Sequence, residues 1–479
     1  MDDLLLILAP AGLVCGALLM LRGSLIVAAL LVLLSACCFG YELVHFDVGP
    51  LPMTIDRLAL GLVIAMYIWQ RALRRTEPKP LNRADVVTLA FVGYLLVSML
   101  ASDFRTFPKE HVGPMWRWVG GYLTPLIVYW AAKQAPWNER TAGLVQACIT
   151  IFGFYLAFTA ICEITQQWSL VWPAYIADPN VGLHYGRARG PMVHGVSFGH
   201  YMSVCLLAGV VWFGSLGKWG RVAVGLVLPL YAAGVFFSYT RSAWIGAALG
   251  LCTVLLLTLH GRTRNIVLGG MVMAGLLVGA TQMDKIVGFQ REQSAVDTAD
   301  SANLRVSFAY VSWLMFQDRP LFGFGFGRFP VDKLPYLDDR STDLNLEALR
   351  PYVHHNTFLS ILVDTGIVGL VLFLAMLGYW MLNAWHTVRR ADAPPWARRQ
   401  AVLVLGAVPV YAAQLLFHEL SYTPIDNSLV FFLAGTASAL CVASRQPSAA
   451  RRSAVAQPEL PGQLQAAAAG MRYGTLGRQ

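Results

Sequence analysis

The sequence carries little charge for its length. Only 13% of its 479 residues are Asp, Glu, Lys or Arg, against about 25% in a typical soluble domain, while 56% are hydrophobic. A soluble protein of this composition would have too few polar residues to cover its surface. Long apolar runs recur from end to end, which excludes disordered and collagen-like chains. The composition therefore predicts an all-α polytopic membrane protein.

Cysteine is also sparse and lacks the spacing of a metal or disulfide site. None of the eight cysteines forms a C-x-x-C pair, and each lies in or beside an apolar run. This pattern predicts core-packing residues rather than a metal–thiolate centre or a disulfide framework. The first apolar run, residues 4–21, follows Met-Asp-Asp and has no positively charged segment before it. We therefore interpret it as a retained span rather than a cleaved signal peptide.

Apolar runs of adequate length predict about 12–13 transmembrane helices. The number depends on the first two runs, which only Arg22 and Gly23 separate, and on two short runs at 57–70 and 119–132. The predicted spans are 4–21, 24–39, 57–70, 86–101, 119–132, 142–163, 195–214, 222–238, 242–259, 265–281, 356–383, 400–420 and 427–443.

Lys and Arg residues collect in alternate loops. One set of loops holds most of them, whereas the other set is acidic overall, which is the positive-inside pattern of a multi-pass protein. We assign the basic side to the cytoplasm. The formal net charge of +9 therefore reports topology and contact with anionic membrane lipids, and it does not indicate nucleic-acid binding.

This topology divides the chain into four predicted regions. They are an N-terminal transmembrane bundle (1–281), a large loop on the outer side (282–353), C-terminal transmembrane helices (354–445) and a disordered cytoplasmic tail (446–479).

An amphipathic helix is predicted within the large loop. Its apolar positions recur at helical spacing, and we expect this face to lie on the membrane surface or on the top of the bundle. These positions are Leu304, Phe308, Val311 and Met315. The acidic run at 338–343 lacks the ligand spacing of an EF-hand, so we predict a solvated loop and no metal site.

Several arginines lie on the outer side, against the positive-inside trend. Arg241 occupies a connection of a few residues between two spans, and the others lie in outer loops; they are Arg187, Arg189, Arg305 and Arg328. Ionisable residues at a membrane boundary are functional candidates by default. The planar guanidinium donates two parallel hydrogen bonds to phosphate oxygens and stays charged, so these arginines predict a site for a lipid-linked diphosphate.

Histidines occur at the outer ends of two predicted spans. His354, His355 and Asn356 open the span at 356–383, and His194 lies where the span at 195–214 begins. An imidazole can accept a proton from an attacking hydroxyl near neutral pH. Asn356 suits either orientation of the imidazole or capping of the helix, and His194 is a supporting candidate.

These motifs resemble those of a known family. The pattern His-Asn-x9-Gly-x-x-Gly, here His355, Asn356, Gly366 and Gly369, is similar to the signature of the O-antigen ligase and polymerase superfamily. The Arg-Ser-Ala-Trp sequence at Arg241 also resembles that superfamily. So does an Arg…Trp…Pro-x-x-Gly-x-Gly stretch formed by Arg305, Trp313, Pro320, Gly323 and Gly325. The motifs occur in order over residues 185–370, with a large outer loop before the His-Asn span.

The resemblance implies a GT-C type membrane glycosyltransferase in the bacterial inner membrane, with its active site facing the periplasm. Such enzymes take a glycan from undecaprenyl diphosphate and need no cofactor. Catalysis would be metal-independent and inverting, with His355 as the base and Arg241 stabilising the leaving group. The diphosphate would be bound by Arg187, Arg189, Arg241, Arg305 and Arg328. His355 rather than His354 fits the register of the motif.

The acceptor stays open between two alternatives. A ligase transfers the glycan to lipid A-core, and a polymerase of O-antigen or exopolysaccharide units transfers it to a growing glycan. We favour the ligase. The sugar, the oligomeric state and a protein acceptor are not decided by the sequence.

A transporter of lipid-linked glycans is the alternative from a different functional class. Transporters commonly carry internal repeats and charges at the membrane midplane. This sequence shows no convincing repeat, and its distinctive charges gather at one boundary. Glu163 and Glu419 lie near span ends, and they too are on the outer side. An enzyme is therefore favoured.

The predicted sidedness can be tested by labelling. A cysteine introduced at Ser341 should react with a membrane-impermeant thiol reagent in intact cells whose outer envelope has been permeabilised, whereas one at Ala391 should not. Wild-type protein supplies the background from the natural cysteines. The reverse pattern would place the large loop in the cytoplasm and remove its access to a periplasmic donor.

Overall fold

The computed structural model is a bundle of long helices with a compact cap at one end. It describes residues 24–39, 45–48, 51–74, 76–108, 111–267, 269–271, 273 and 295–445. The main helices are α1 (Leu25–Cys38), α2 (Ile55–Ala72), α3 (Arg83–Leu100), α4 (Thr124–Gln134), α5 (Glu139–Ile164), α6 (Gly195–Phe213), α7 (Lys218–Phe237), α8 (Arg241–Thr258), α9 (Ala295–Asp318), α10 (Thr357–Arg389), α11 (Pro395–Phe417) and α12 (Pro424–Arg445). A helical turn (Pro114–Trp118) and a π-helical segment (Val119–Leu123) lead directly into α4.

The prediction of an all-α polytopic membrane protein is confirmed. Within the described residues, eight helices are long and apolar enough to cross a membrane: α3, α5, α6, α7, α8, α10, α11 and α12. The predicted short spans at 24–39, 57–70 and 119–132 coincide with α1, α2 and the helical segments ending in α4. The predicted span 4–21, most of 265–281 and the tail 446–479 lie outside the described residues.

The described chain also contains one short hairpin, which the sequence does not predict. Strands β1 (His45–Val48) and β2 (Leu51–Thr54) pair antiparallel, with His45 opposite Thr54. Four residues are too few to give a clear alternation of apolar and polar positions. The hairpin leads into α2, so it orients the entry of that helix.

Burial separates central helices from peripheral ones. In the most apolar 18-residue stretch of each helix, 94% of the residues are buried in α12, 83% in α6 and 78% in α11, but only 22% in α7 and 33% in α8. A helix that is apolar on all sides belongs in the centre of a bundle or against lipid. Helices α6, α11 and α12 therefore form the centre, while α7 and α8 expose apolar side chains to the membrane.

The described part of the large loop, residues 295–353, folds over one end of the bundle, which we call the loop end. Three of the four predicted apolar positions of α9 are buried, at 2% exposure for Phe308 and 0% for Val311 and Met315. They pack against Phe329 and Val363 in a separate hydrophobic core. The apolar face therefore seals the loop onto the bundle top, one of its two predicted positions.

The glycine motifs allow the loop to dock on α10. Gly366 has φ 67° and interrupts the helical geometry of α10. A Cβ at Gly366 would lie 2.2 Å from the Leu321 carbonyl oxygen, and one at Gly323 would lie 2.4 Å from the Val363 oxygen. The Gly325 N–H donates to the Asp364 carbonyl at 2.8 Å. Only glycine permits backbones to approach this closely, so these positions serve packing.

A buried ion pair joins helices at the opposite end of the bundle. The Lys133 ammonium lies 2.5 Å from an Asp85 oxygen, and both side chains are fully buried. The Tyr129 hydroxyl donates to the second Asp85 oxygen at 2.5 Å and lies 2.7 Å from the Ser438 hydroxyl. These contacts connect α3, α4 and α12.

Removing one member of this pair should destabilise the protein strongly. Asp85→Ala leaves the Lys133 charge buried without its counter-ion, which typically costs about 3–5 kcal/mol. The matched control is Asp392→Ala, because Asp392 is exposed and its pair with Arg390 belongs to a class worth about 0–1 kcal/mol. Thermal unfolding in detergent should show a much lower Tm for Asp85→Ala alone. Equal Tm values for the two variants would contradict a structural role for the pair.

Candidate active site

Three parts of the chain meet at the loop end of the central helices. The Thr357 hydroxyl, at the start of α10, donates to the His418 carbonyl at 2.8 Å. The Asn356 side chain donates to the Leu416 carbonyl at 2.9 Å. The Ser242 hydroxyl, in the first turn of α8, lies 3.1 Å from His418 Nε2. The segment after α11 thereby links the His-Asn motif of α10 to the Arg-Ser-Ala-Trp motif of α8.

The two adjacent histidines of the motif have different environments. His354 is 2% exposed; its Nε2 lies 2.8 Å from the Ser312 hydroxyl, and its Nδ1 accepts the Asn356 N–H at 3.0 Å. Burial lowers its pKa well below 6.5, so it is a neutral packing residue. His355 is half-buried between the Phe308 and Tyr352 rings, at centroid distances of 5.1 and 5.8 Å. Its position fits the predicted choice of His355 over His354.

His355 lies among other basic side chains. Burial first, and then the nearby Arg305 guanidinium, lower the pKa of His355, which keeps its imidazole neutral near pH 7. The pKa of His418 falls well below 6.5 because of burial, with further contributions from His194, His355 and Arg305. The structure thus brings the predicted residues His355, Arg305 and His194 into one electrostatic neighbourhood, which we call the histidine site, and it adds His418.

Arg187 and Arg241 border the same region. Arg241 is exposed at the first position of α8. The Arg187 guanidinium donates to the Tyr239 carbonyl at 3.5 Å, two residues before Arg241. Burial, and then the Arg187 charge, lower the pKa of His194 to about 4. The turn before α8 and the loop before α6 therefore place two of the predicted arginines beside the histidine site.

Arg189 is occupied by contacts within its own loop. It is 1% exposed. Its guanidinium donates to three backbone carbonyls at 2.5 to 2.8 Å, those of Val181, Ile176 and Asp178. Its backbone N–H lies 3.2 Å from a Glu163 oxygen. This geometry favours a role in shaping the loop over the predicted role in binding diphosphate.

Arg328 faces a cleft whose lining includes none of the histidine-site residues. Its guanidinium lies 2.8 Å from an Asp332 oxygen, and it donates to the Asp103 and Thr106 carbonyls at 2.6 and 3.2 Å. It shares its cleft with residues of α3 and of the large loop, among them Tyr94 and Phe322. The contacts of Arg328 therefore hold the loop against the end of α3.

Asn356 and His194 act as helix caps. The Asn356 side-chain oxygen accepts the Leu359 N–H at 3.0 Å at the start of α10. His194 Nδ1 lies 3.3 Å from the Ser197 backbone N and 2.9 Å from the Ser197 hydroxyl at the start of α6. For Asn356, capping was one of the two roles that the sequence suggested. Both residues thus fix the helix ends at which the histidine site lies.

A buried ionic cluster next to the histidine site was not predicted from the sequence. The Arg117 guanidinium lies 2.8 Å from Asp364 and 3.3 Å from Glu419, and all three side chains are at most 2% exposed. It also donates to the Ser360 and Ser421 hydroxyls at 2.8 and 2.5 Å. Arg117 opens a short span and so resembles a snorkelling anchor. Its partners are more than 240 residues away in sequence, which no local pattern reveals.

The cluster also holds the glycine-rich segment of the large loop. The two Asp364 carboxylate oxygens accept the Gly327 N–H at 2.9 Å and the Phe329 N–H at 3.0 Å. Phe329 in turn packs against the His354 ring, with a centroid distance of 4.7 Å. Asp364 therefore connects the loop, α10 and Arg117 behind the His-Asn motif.

Comparisons with known proteins match the same part of the chain. Residues 224–374 match the family described as O-Antigen ligase. The chain is 22% identical over 375 residues to the "Exopolysaccharide production protein ExoQ" of Rhizobium meliloti (strain 1021), an alignment that covers 73% of this chain and 83% of that protein. The family match includes Arg241, Arg305 and His355. These findings confirm the resemblance that the motifs predict, and they support a membrane enzyme of the O-antigen ligase and polymerase type, acting in polysaccharide assembly.

Proposed function

We propose that the protein transfers a glycan from undecaprenyl diphosphate to an acceptor hydroxyl at the periplasmic face of the bacterial inner membrane. The observation that carries this proposal is the placement of a neutral His355 beside Arg305 in the histidine site. Arg187 adjoins this site through His194, and Arg241 adjoins it through Ser242, which contacts His418. A proton acceptor and fixed cations are the two components that this reaction requires.

The arginines would stabilise the leaving group. When the bond between the sugar C1 and the diphosphate breaks, negative charge develops on the departing phosphate oxygens. Fixed guanidinium groups stabilise that charge without reorganisation and fit phosphate bidentately. Arg187, Arg241 and Arg305 are the best-placed candidates. Within the described ranges, no group of three or more His, Cys, Asp and Glu side chains is arranged to hold a metal ion. We propose metal-independent catalysis because the histidine site has cationic side chains that can stabilise the departing diphosphate.

His355 would act as the general base. The acceptor hydroxyl gives its proton to His355 as its oxygen bonds to C1, and the diphosphate leaves with the electron pair of the broken bond. Attack opposite the leaving group inverts the configuration at C1. Burial favours the neutral imidazole, so the base is available at physiological pH.

The acceptor we favour is lipid A-core, as in an O-antigen ligase, because the family match carries that description. The similarity to a protein named for exopolysaccharide production favours a second candidate, a polymerase that elongates a growing glycan. Deletion of the gene separates them. Loss of attachment with polymer retained on the carrier lipid indicates a ligase, whereas accumulation of single repeat units indicates a polymerase.

A purified-protein assay tests transfer against transport. Protein in detergent is supplied with an undecaprenyl-diphosphate-linked glycan and each acceptor in turn, with no membrane gradient. Formation of the new glycoside supports the proposal. Absence of product from folded, donor-bound protein with both acceptors would contradict it and favour a lipid-linked glycan transporter.

Arg241→Ala should reduce transfer by about 10²–10³-fold, because one preorganised donor to a developing anion is lost. Arg241→Lys should recover only part of the rate, since a lysine lacks the bidentate geometry. Arg319→Ala is a matched control, because Arg319 lies on the separate cleft that contains Arg328. Wild-type turnover in folded Arg241→Ala protein would remove Arg241 from the leaving-group site.

His355→Ala should reduce turnover by roughly 10²–10⁴-fold while donor binding is retained. Transfer by the wild type should fall as the pH drops through the His355 pKa, which lies below 6.5, because the base must be neutral. His354→Ala, the neighbouring control, should lower thermal stability more than turnover per folded molecule. Normal turnover in His355→Ala protein would reject the base, and lost donor binding would make His355 a diphosphate ligand instead.

A further inference from the structure

Glu419 has a buried carboxylate oxygen that the ionic cluster does not satisfy. Its Oε1 accepts the Ser421 N–H at 3.1 Å and the Ser421 hydroxyl at 2.5 Å, and it lies 3.3 Å from Arg117. Its Oε2 is buried and has no hydrogen-bond partner in the part of the chain that the structure describes. Nearly every buried polar atom in a native protein has a partner, so this oxygen calls for an explanation.

The cluster carries an excess of negative charge. Two carboxylates share the single Arg117 guanidinium, so the three groups sum to −1 when both acids are ionised. Asp364 holds the closer contact with Arg117 and also accepts two backbone N–H groups. Glu419 is therefore the less compensated carboxylate. A buried charge without full compensation costs stability, which a structural role alone does not require.

Backbone contacts fix Glu419 next to the His-Asn motif. The Thr357 hydroxyl donates to the carbonyl of His418 and accepts the Leu420 N–H at 3.0 Å. The residues on both sides of Glu419 are thereby tied to one side chain, two positions after His355. The charge of Glu419 reaches His355, and it raises the pKa of His355 against the lowering effects of burial and Arg305.

We propose that Glu419 is a positioning residue for the transfer reaction, whose negative charge stabilises the imidazolium of His355 when it accepts the proton of the acceptor hydroxyl. The inference rests on the proposed function, in which His355 is the base. The proton moves from the acceptor oxygen to an imidazole nitrogen and then to water, while the C1–oxygen bond forms and the C1–diphosphate bond breaks. Glu419 gains no proton in this sequence, so its role is electrostatic: a nearby opposite charge favours the charged imidazolium.

Other charges around His355 act in the opposite direction. Arg305 on α9 and Lys333 in the large loop both disfavour its imidazolium form. The neighbouring imidazoles of His354 and His418 have lowered pKa values and stay neutral near pH 7. Glu419 is thus the group that favours proton uptake among those acting on His355, and its removal should be visible in the titration.

The test compares two matched substitutions of buried carboxylates. Glu419→Gln removes the charge and keeps the size of the side chain. Glu163→Gln makes the same change at the loop end, in a carboxylate that accepts backbone N–H groups of the Arg189 loop. For each protein in detergent, histidine NMR gives the His355 pKa, assigned by comparison with His355→Ala, and an assay gives turnover against pH.

Glu419→Gln should lower the His355 pKa by roughly one unit and turnover by up to about 10-fold, with the acid limb displaced to the same extent. Glu163→Gln should leave the His355 pKa in place. Glu419→Asp retains the charge and should restore a pKa near that of the wild type; it also decides the matter if Glu419→Gln does not fold.

The outcomes separate the inference from the function on which it rests. Two results would overturn the role of Glu419. One is an unchanged His355 pKa in folded Glu419→Gln protein. The other is a His355 pKa in Glu419→Asp protein that is lowered as far as in Glu419→Gln protein. Full turnover in His355→Ala protein would instead reject His355 as the base, whatever the titration shows.

Discussion

The attachment of the large loop to α10 is the constraint on which the site depends. Gly323 and Gly366 allow two backbones to approach within a distance that a Cβ would forbid. Asp364 then accepts hydrogen bonds from two backbone N–H groups of the loop and forms an ion pair with Arg117. Because His354 packs against Phe329 of the same loop, this attachment fixes the start of α10 and hence the position of His355.

The site separates a cationic surface from an anionic layer beneath it. Arg187, Arg241 and Arg305 are the proposed diphosphate ligands, and two of them also oppose protonation of an imidazole: Arg305 that of His355, and Arg187 that of His194. A base in such a field stays neutral yet gains a proton reluctantly. The Arg117 cluster, with two carboxylates and one guanidinium, offsets this field from below. In the proposed function, this arrangement would let one site hold a diphosphate and accept a proton.

Hydropathy was sufficient to predict the long apolar helices among the described residues, because lipid and a buried bundle both select for apolar residues. The predicted span 195–214 is observed as Gly195–Phe213. The sequence also predicts His355 rather than His354 as the base, from its place in the motif, and the structure shows that His354 is the more buried of the two. It did not distinguish the arginines. Position at a boundary is visible in a sequence, whereas the carbonyls that surround Arg189 depend on how its loop folds.

The ionic cluster could not be predicted for a related reason. Arg117, Asp364 and Glu419 come from three distant segments. Arg117 and Glu419 each resemble an ordinary charge near a span end, whereas Asp364 lies inside the predicted span 356–383. Their pairing is a property of the packed bundle. Glu419 did stand out as an acid near a span end, but its unsatisfied oxygen is visible only in three dimensions.

The central claim is direct displacement of a lipid diphosphate by an acceptor hydroxyl at the histidine site. The most direct measurement is the anomeric configuration of the product formed by purified protein from a donor of known C1 stereochemistry, determined by NMR. The account predicts a new glycosidic bond with inverted configuration. Retention of configuration would contradict displacement in a single step with His355 as the base.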